Sequence, residues 1–259
     1  MTEVYRFSET EFLLFSLVLV RMSAFVVSWP VFGVELVSHH LKILFALMLT
    51  MIIFPTLHWT NSQIDIIQTN LVLLAIKEAF VGLCIGFLAR GFFFTFRAAG
   101  EMISQAMGLN AASFFNPAVG GQTTAIEQFY TSLATLFYLA ANGHHYLISG
   151  LVRSLNLVPV AQLSLNVSQF PGVGLMVQEI VELGLKFSAP VVISILVINL
   201  ILGVVGKTVP QLNVLVTSFP INIMVGLLLM SITLPLLMDR MGEYLEFSTT
   251  QIFKFVRSF

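Results

Sequence analysis

Glu101-Met-Ile-Ser-Gln-Ala-Met-Gly-Leu-Asn-Ala-Ala-Ser-Phe-Phe-Asn-Pro-Ala-Val-Gly-Gly-Gln-Thr-Thr-Ala-Ile-Glu127 is small, amide-rich and nearly uncharged, and it lies between apolar blocks. Phe114 and Phe115 stand side by side in it, directly before Asn116-Pro117. In water such an interval is an ordinary surface loop. Among membrane helices, non-helical backbone is tolerated only where protein or a wet cavity satisfies its amides. The flanking blocks decide between these readings.

The block before it, Leu71 to Phe96, is about 26 residues long, enough to cross a bilayer as helix. It is not clean. Lys77 and Glu78 are adjacent near its start, and Arg90 and Arg97 lie near its end. Helix neighbours point about 100° apart, so Lys77 and Glu78 cannot pair well with each other. Gly82-x-x-x-Gly86 offers a smooth face for close helix approach. After the interval, Phe129 to Ala141 spans about 13 residues, too few to cross alone and suited to a core helix or half-helix. Asn142-Gly143-His144-His145 closes it as a helix C-cap would.

Further out, Phe12 to Trp29 is a block of about 18 residues with Arg21 in its middle. A charge there costs at least about 2.5–3.5 kcal/mol, so Arg21 should face protein or water and have a partner, and Glu78 is a candidate across helices. Pro30 ends that block, and Leu41 to Trp59 forms another in which Pro55 should kink or end the helix. Tyr146 to Gly174 is mixed and reads as a connector or interfacial helix. Leu175 to Val205 begins amphipathic and becomes apolar, with Pro190 and Asn199 as interruptions. Lys207 to Asn213 is a polar turn. A last apolar run to Met238 is punctuated by Pro220 and Pro235, and Asp239 to Phe259 reads as a charged amphipathic helix. The count is six apolar segments. Their flanking charges favour cytoplasmic termini only weakly.

The 259 residues are 57% hydrophobic and 10% charged, against roughly 25% charged in soluble domains, so this is a membrane-type composition. A formal charge of −1 argues against nucleic-acid binding. The lone Cys84 excludes an internal disulfide and a multi-thiolate metal site. The acidic N-terminus, with no small-residue cleavage site after the first apolar run, reads as lacking a removable signal. Gly203 to Thr208 resembles the end of a phosphate-binding loop, but Ile201 stands where its first glycine belongs. Adjacent His144 and His145 fit a cap better than a metal site. No metal, cofactor or catalytic constellation is expected, and the chain does not read as an enzyme.

The order of short motifs is more specific than any one of them. Arg21 precedes Pro30-x-Phe32-Gly33, and Glu78-x-x-x-Gly82-x-x-x-Gly86 follows. Then come Gly108-Leu109, Ala111 and Pro117, and Asn142-Gly143-His144. The series closes with Ala189-Pro190, Asn199, Pro210-Gln211-Leu212-Asn213, Phe219-Pro220 and Gly226. Over essentially its whole length the chain resembles the FliR family of flagellar biosynthetic proteins, and through it the SctT-type subunits of injectisomes. Two positions depart from the family pattern. Asn116 stands where an acid is usual, and Ser218 where glycine is usual.

The resemblance implies an all-α fold of broken membrane-type helices and hairpins, with a FliP-like part over residues 1–174 and a FliQ-like hairpin plus C-terminal amphipathic helix over 175–259. It implies a structural pore and gate subunit of the flagellar type III export apparatus at the basal body in the bacterial inner membrane. Implied partners are FliP, FliQ, FlhB and FlhA-type proteins, membrane lipids, and unfolded protein substrates in transit. Gly108, Leu109, Asn110, Phe114, Phe115, Asn116, Pro117, Gly120 and Gly121 would form a plug in the passage. Arg21, Lys77, Glu78, Asn142, His144, Asn199, Pro210, Gln211 and Asn213 would be buried polar or structural residues. The alternatives are an injectisome subunit and a small-molecule secondary transporter. A transporter should show matched interruptions in two halves, which this chain lacks.

Overall fold

A computed structural model describes residues 9–30, 37–57, 71–110, 123–157, 171–209, 211 and 213–256. Those residues form α1 (Glu9–Ser28), α2 (His39–Ile53), α3 (Leu71–Ala106), α4 (Ala125–Ala140), α5 (Gly143–Leu157), α6 (Pro171–Thr208) and α7 (Val214–Val256). The all-α expectation holds. Five helical stretches among the described residues are long and apolar enough to cross a membrane: Glu9–Ser28, His39–Thr56, Leu71–Ala106, Val177–Thr208 and Val216–Phe255. The sixth apolar segment is α4, with 16 residues, short of the ~20 a span needs.

Several boundaries differ from those read in the sequence. The helix expected to stop near Phe96 runs ten residues further, so Glu101 to Ala106 of the polar interval is helical. Its small Ala98, Ala99 and Gly100 contain no breaker, and the stop comes instead at Gly108. Pro190, Pro220 and Pro235 do not end a helix; they lie inside α6 and α7. In hydrocarbon no water replaces a lost backbone bond, so breaking a helix fully costs more than bending it past one proline. Pro55 behaves as expected, because α2 gives way there to a single 3₁₀ turn, Phe54–Thr56. The tail read as a separate amphipathic helix is continuous with α7.

The chain divides into two compact units, one of Met1–Gly91, Asn142–Gly172 and Phe247–Phe259, the other of Phe92–Ala141 and Val173–Glu246. In the first, α1 buries Leu14, Leu17, Val18, Met22, Phe25 and Val26, a stripe at helical spacing. Val81 and Ile85 of α3 and Leu147 and Leu151 of α5 are buried in the same unit. Gly82 and Gly86 set how closely α1 and α3 approach. A methyl at Gly82 would collide with the Arg21 carbonyl oxygen, and one at Gly86 with the Ser28 hydroxyl. At Gly82 the obstacle is backbone, which cannot repack by changing a rotamer.

The second unit is built on stacked rings. Phe92 lies 5.6 Å from Tyr244, and Phe96 lies 5.3 Å from Phe187, both pairs nearly parallel. The Thr95 hydroxyl donates to the Tyr244 oxygen at 2.9 Å, so this buried phenol has a partner. These contacts join the second half of α3 to α6 and α7.

Gly82→Ala should therefore destabilise the detergent-solubilised chain by about 1–3 kcal/mol through overpacking. Gly203→Ala, whose added methyl meets nothing within 4 Å, should be neutral or stabilising by up to about 1 kcal/mol from helix propensity. Thermal unfolding midpoints of the two variants check this, and equal shifts would contradict the packing account.

Candidate functional site

Arg21 points from the middle of α1 into the first unit and is fully buried. Its Nε donates to Glu78 Oε2 of α3 at 2.5 Å, and its Nη1 donates to Ser154 Oγ of α5 at 3.3 Å. The partner inferred from the cost of a lone intramembrane charge is the one found. Three helices thus meet on one guanidinium, whose planar fork of donors can serve two acceptors at once. Lys77, the neighbour of Glu78, is half-buried, as the 100° step between them requires. A second cation closes the end of α1. Arg90 Nε donates to the Ser28 carbonyl at 2.6 Å, satisfying a carbonyl that the ended helix leaves open.

In the second unit the two ends of the polar interval are built with care. The α3 terminus is a Schellman motif. Gly108 takes φ +79, Leu109 N–H donates to Ser104 O at 3.0 Å, and Gly108 N–H donates to Gln105 O at 3.0 Å. A Cβ at Gly108 would also run into the Phe219 ring of α7, so glycine is required there twice over. The returning end carries a capping box. Thr124 Oγ1 accepts from Glu127 N–H, and Glu127 Oε2 accepts from Thr124 N–H, both at 3.3 Å. The other oxygen of Glu127 accepts from Arg97 Nε at 2.6 Å. Ser104 and Thr124 hydroxyls lie 2.5 Å apart. The Arg97–Glu127 pair was not among the sequence candidates, although Thr124-x-x-Glu127 before an apolar run is a readable capping signal.

Other expected site residues fall elsewhere. Phe114, Phe115, Asn116, Pro117, Gly120 and Gly121 lie outside the described residues, as does Pro210. Asn110 is half-buried and Leu109 exposed. Four residues expected to be buried polar or structural ones are exposed in this chain: Asn142, Asn199, Gln211 and Asn213. Each has a local reason. Asn142 ends α4 with φ 57, a left-handed conformation asparagine tolerates. Gln211 sits in the turn between α6 and α7. Asn213 caps α7, its Oδ1 accepting from Val216 N–H at 3.4 Å. Asn199 Oδ1 accepts from Asn222 Nδ2 at 3.0 Å across the α6–α7 hairpin. It also lines a groove of about 570 Å³ beside Met102, Gln105 and Ser188. His144 is half-buried with its ring 4.2 Å from that of His145. Burial and the neighbouring His145 charge lower its pKa. Among the described residues, no group of His, Cys, Asp or Glu could hold a metal ion.

Comparison with known proteins decides the family. The model for bacterial export proteins, family 1, matches residues 12–247. A flagellar biosynthetic protein FliR from Bacillus subtilis (strain 168) is 36% identical over 220 residues, covering 83% of this chain and 84% of the relative. This chain belongs to the FliR family of bacterial export proteins. FliR of Escherichia coli (strain K12) is 31% identical over 219 residues, 85% of this chain and 83% of that protein. FliR of Caulobacter vibrioides is 30% identical over 241 residues, 90% of this chain and 95% of that protein. The match spans both compact units, so the buried Arg21–Glu78 pair and the clasped interval belong to one FliR-type chain.

Arg21→Met or Glu78→Leu alone should destabilise the protein by about 3–5 kcal/mol, because each strands a buried charge. The double variant Arg21→Met/Glu78→Leu should recover most of that loss. Thermal inactivation midpoints of the purified proteins measure the coupling, and additive losses would contradict it.

Proposed function

We propose that this chain is a structural subunit of the flagellar type III export apparatus in the bacterial inner membrane. There it helps form the gate through which unfolded flagellar proteins leave the cytoplasm. The observation that carries the reading is the family match over residues 12–247 together with FliR relatives covered over most of their length. Five long apolar helices support a membrane location. The named relatives are flagellar, which favours a flagellum over an injectisome.

The mechanism is steric rather than catalytic. A chain passing through a membrane needs an opening, and an idle opening must exclude ions. The segment from Gly108 to Gly121, with Phe114 and Phe115 as stopper, serves as the closure that a substrate displaces. Nothing in such a cycle calls for a nucleophile or general base. Residues 1–174 form the FliP-like part and 175–259 the FliQ-like hairpin, packed among FliP, FliQ, FlhB and FlhA-type partners. The apolar outward side chains of α6 and α7, among them Leu200, Val204, Met224 and Ile232, suit cover by lipid and those partners.

Deletion of residues 108 to 120 tests the closure directly in cells that make the whole apparatus. The deleted chain should still co-purify with FliP- and FliQ-type proteins, while the membrane becomes permeable to ions. Unchanged permeability with normal assembly would overturn the closure, and motility unaffected by loss of the whole gene would overturn the export role.

A further inference from the structure

The hydroxyls of Ser104, near the end of α3, and Thr124, just before α4, lie 2.5 Å apart. Nineteen residues therefore leave and return at one point, as the numbering from 105 to 123 shows. Four side chains make that point. Ser104 is fully buried. Thr124 bonds both Ser104 and the Glu127 N–H. Glu127 is buried and divides its two oxygens between Thr124 N–H and Arg97 Nε. Arg97 comes from α3, about two turns before Ser104, so the carboxylate ties the first turn of α4 back to α3. Behind it, a methyl at Gly100 would crowd the Glu127 Cα at 2.8 Å, so the two helices already touch backbone to backbone.

We propose that Arg97 and Glu127 are positioning residues that, with Ser104 and Thr124, hold α3 and α4 together in a clasp that stays shut while protein passes. This rests on the closure reading above and deepens it. The clasp keeps the end of α3 and the start of α4 at one place. The bonds explain why a charge pair is used here. Glu127 serves two donors from different chain segments, so its carboxylate couples the start of α4 to the late turns of α3, which a cap bonded only within its own helix could not do. Breaking the Arg97 arm loosens the returning end, which the Ser104–Thr124 bond still holds, without removing the α4 cap.

The first test uses Arg97→Ala and Glu127→Gln, the second keeping a side chain able to complete the capping box. In cells with the full apparatus, each should raise resting ion leak by up to about fivefold, the effect of losing one half-exposed ion pair from a closed–open balance. The pair of substitutions together should leak no more than one alone, and Arg97→Lys should restore most of the seal. Recovery of the assembled complex should not change, which separates positioning from simple structural damage.

A second test replaces the Ser104–Thr124 hydrogen bond with a covalent one. Ser104→Cys/Thr124→Cys in a Cys84→Ala background places two thiols where the hydroxyls meet. Export by the oxidised, cross-linked protein should stay within about twofold of the reduced protein, since a clasp that never opens has no need of freedom. A reversible block of export on oxidation would overturn the proposal, as would normal leak in both Arg97→Ala and Glu127→Gln. If the deletion of 108 to 120 leaks while those variants do not, the closure stands and the clasp alone falls. If the deletion does not leak, both fall.

Discussion

A guanidinium and a carboxylate taken out of water near the centre of an apolar chain set the terms for the first unit. Burying either alone costs several kcal/mol, so the two must meet with good geometry or neither can be there. Arg21 and Glu78 meet at 2.5 Å, and Ser154 takes a further guanidinium proton. That requirement fixes the rotation of α1, α3 and α5 about their own axes. Gly82 and Gly86 then become necessary, because only glycine lets α3 come close enough beside the Arg21 carbonyl and Ser28. Inside a bilayer, close van der Waals packing and such polar contacts replace the hydrophobic drive available in water.

The second unit obeys a related constraint on the backbone. A helix that stops leaves carbonyls or amides open, and an apolar environment makes that costly. Gly108 in its Schellman turn and Thr124 with Glu127 in their capping box satisfy the two facing ends. Stacked rings from α3, α6 and α7 hold the frame to which those ends are attached. Large apolar faces remain outside on α6, where only 11% of the most apolar window is buried against 39% in α1 and α3. A fold of this kind is finished by lipid and neighbouring subunits, whereas the charge pair and the clasp are complete within the chain.

How much of this was legible varied with the physics. Arg21 and Glu78 could be paired from the sequence because an intramembrane charge admits few solutions. The membrane-type character followed from composition, the all-α class from the family resemblance, and the stop at Pro55 from the missing proline amide. Pro190, Pro220 and Pro235 misled, since rules learned in water overstate how readily a membrane helix breaks. Asn199 was expected to be a buried polar or structural residue but lies exposed in the chain, its amide oxygen accepting from Asn222 across a hairpin. The Arg97–Glu127 contact joins residues 30 apart and depends on α3 continuing past Phe96, which hydropathy alone did not reveal. Its trace was the Thr124-x-x-Glu127 cap.

The most direct measurement of the governing interaction is a solid-state NMR distance between the Arg21 guanidinium nitrogens and the Glu78 carboxyl carbon in the membrane-embedded protein, assigned by its loss in Glu78→Gln. A hydrogen-bonded pair places these atoms about 3–4 Å apart. A signal at that separation is the expected result. A separation beyond about 6 Å would remove the interaction on which the arrangement of α1, α3 and α5 rests.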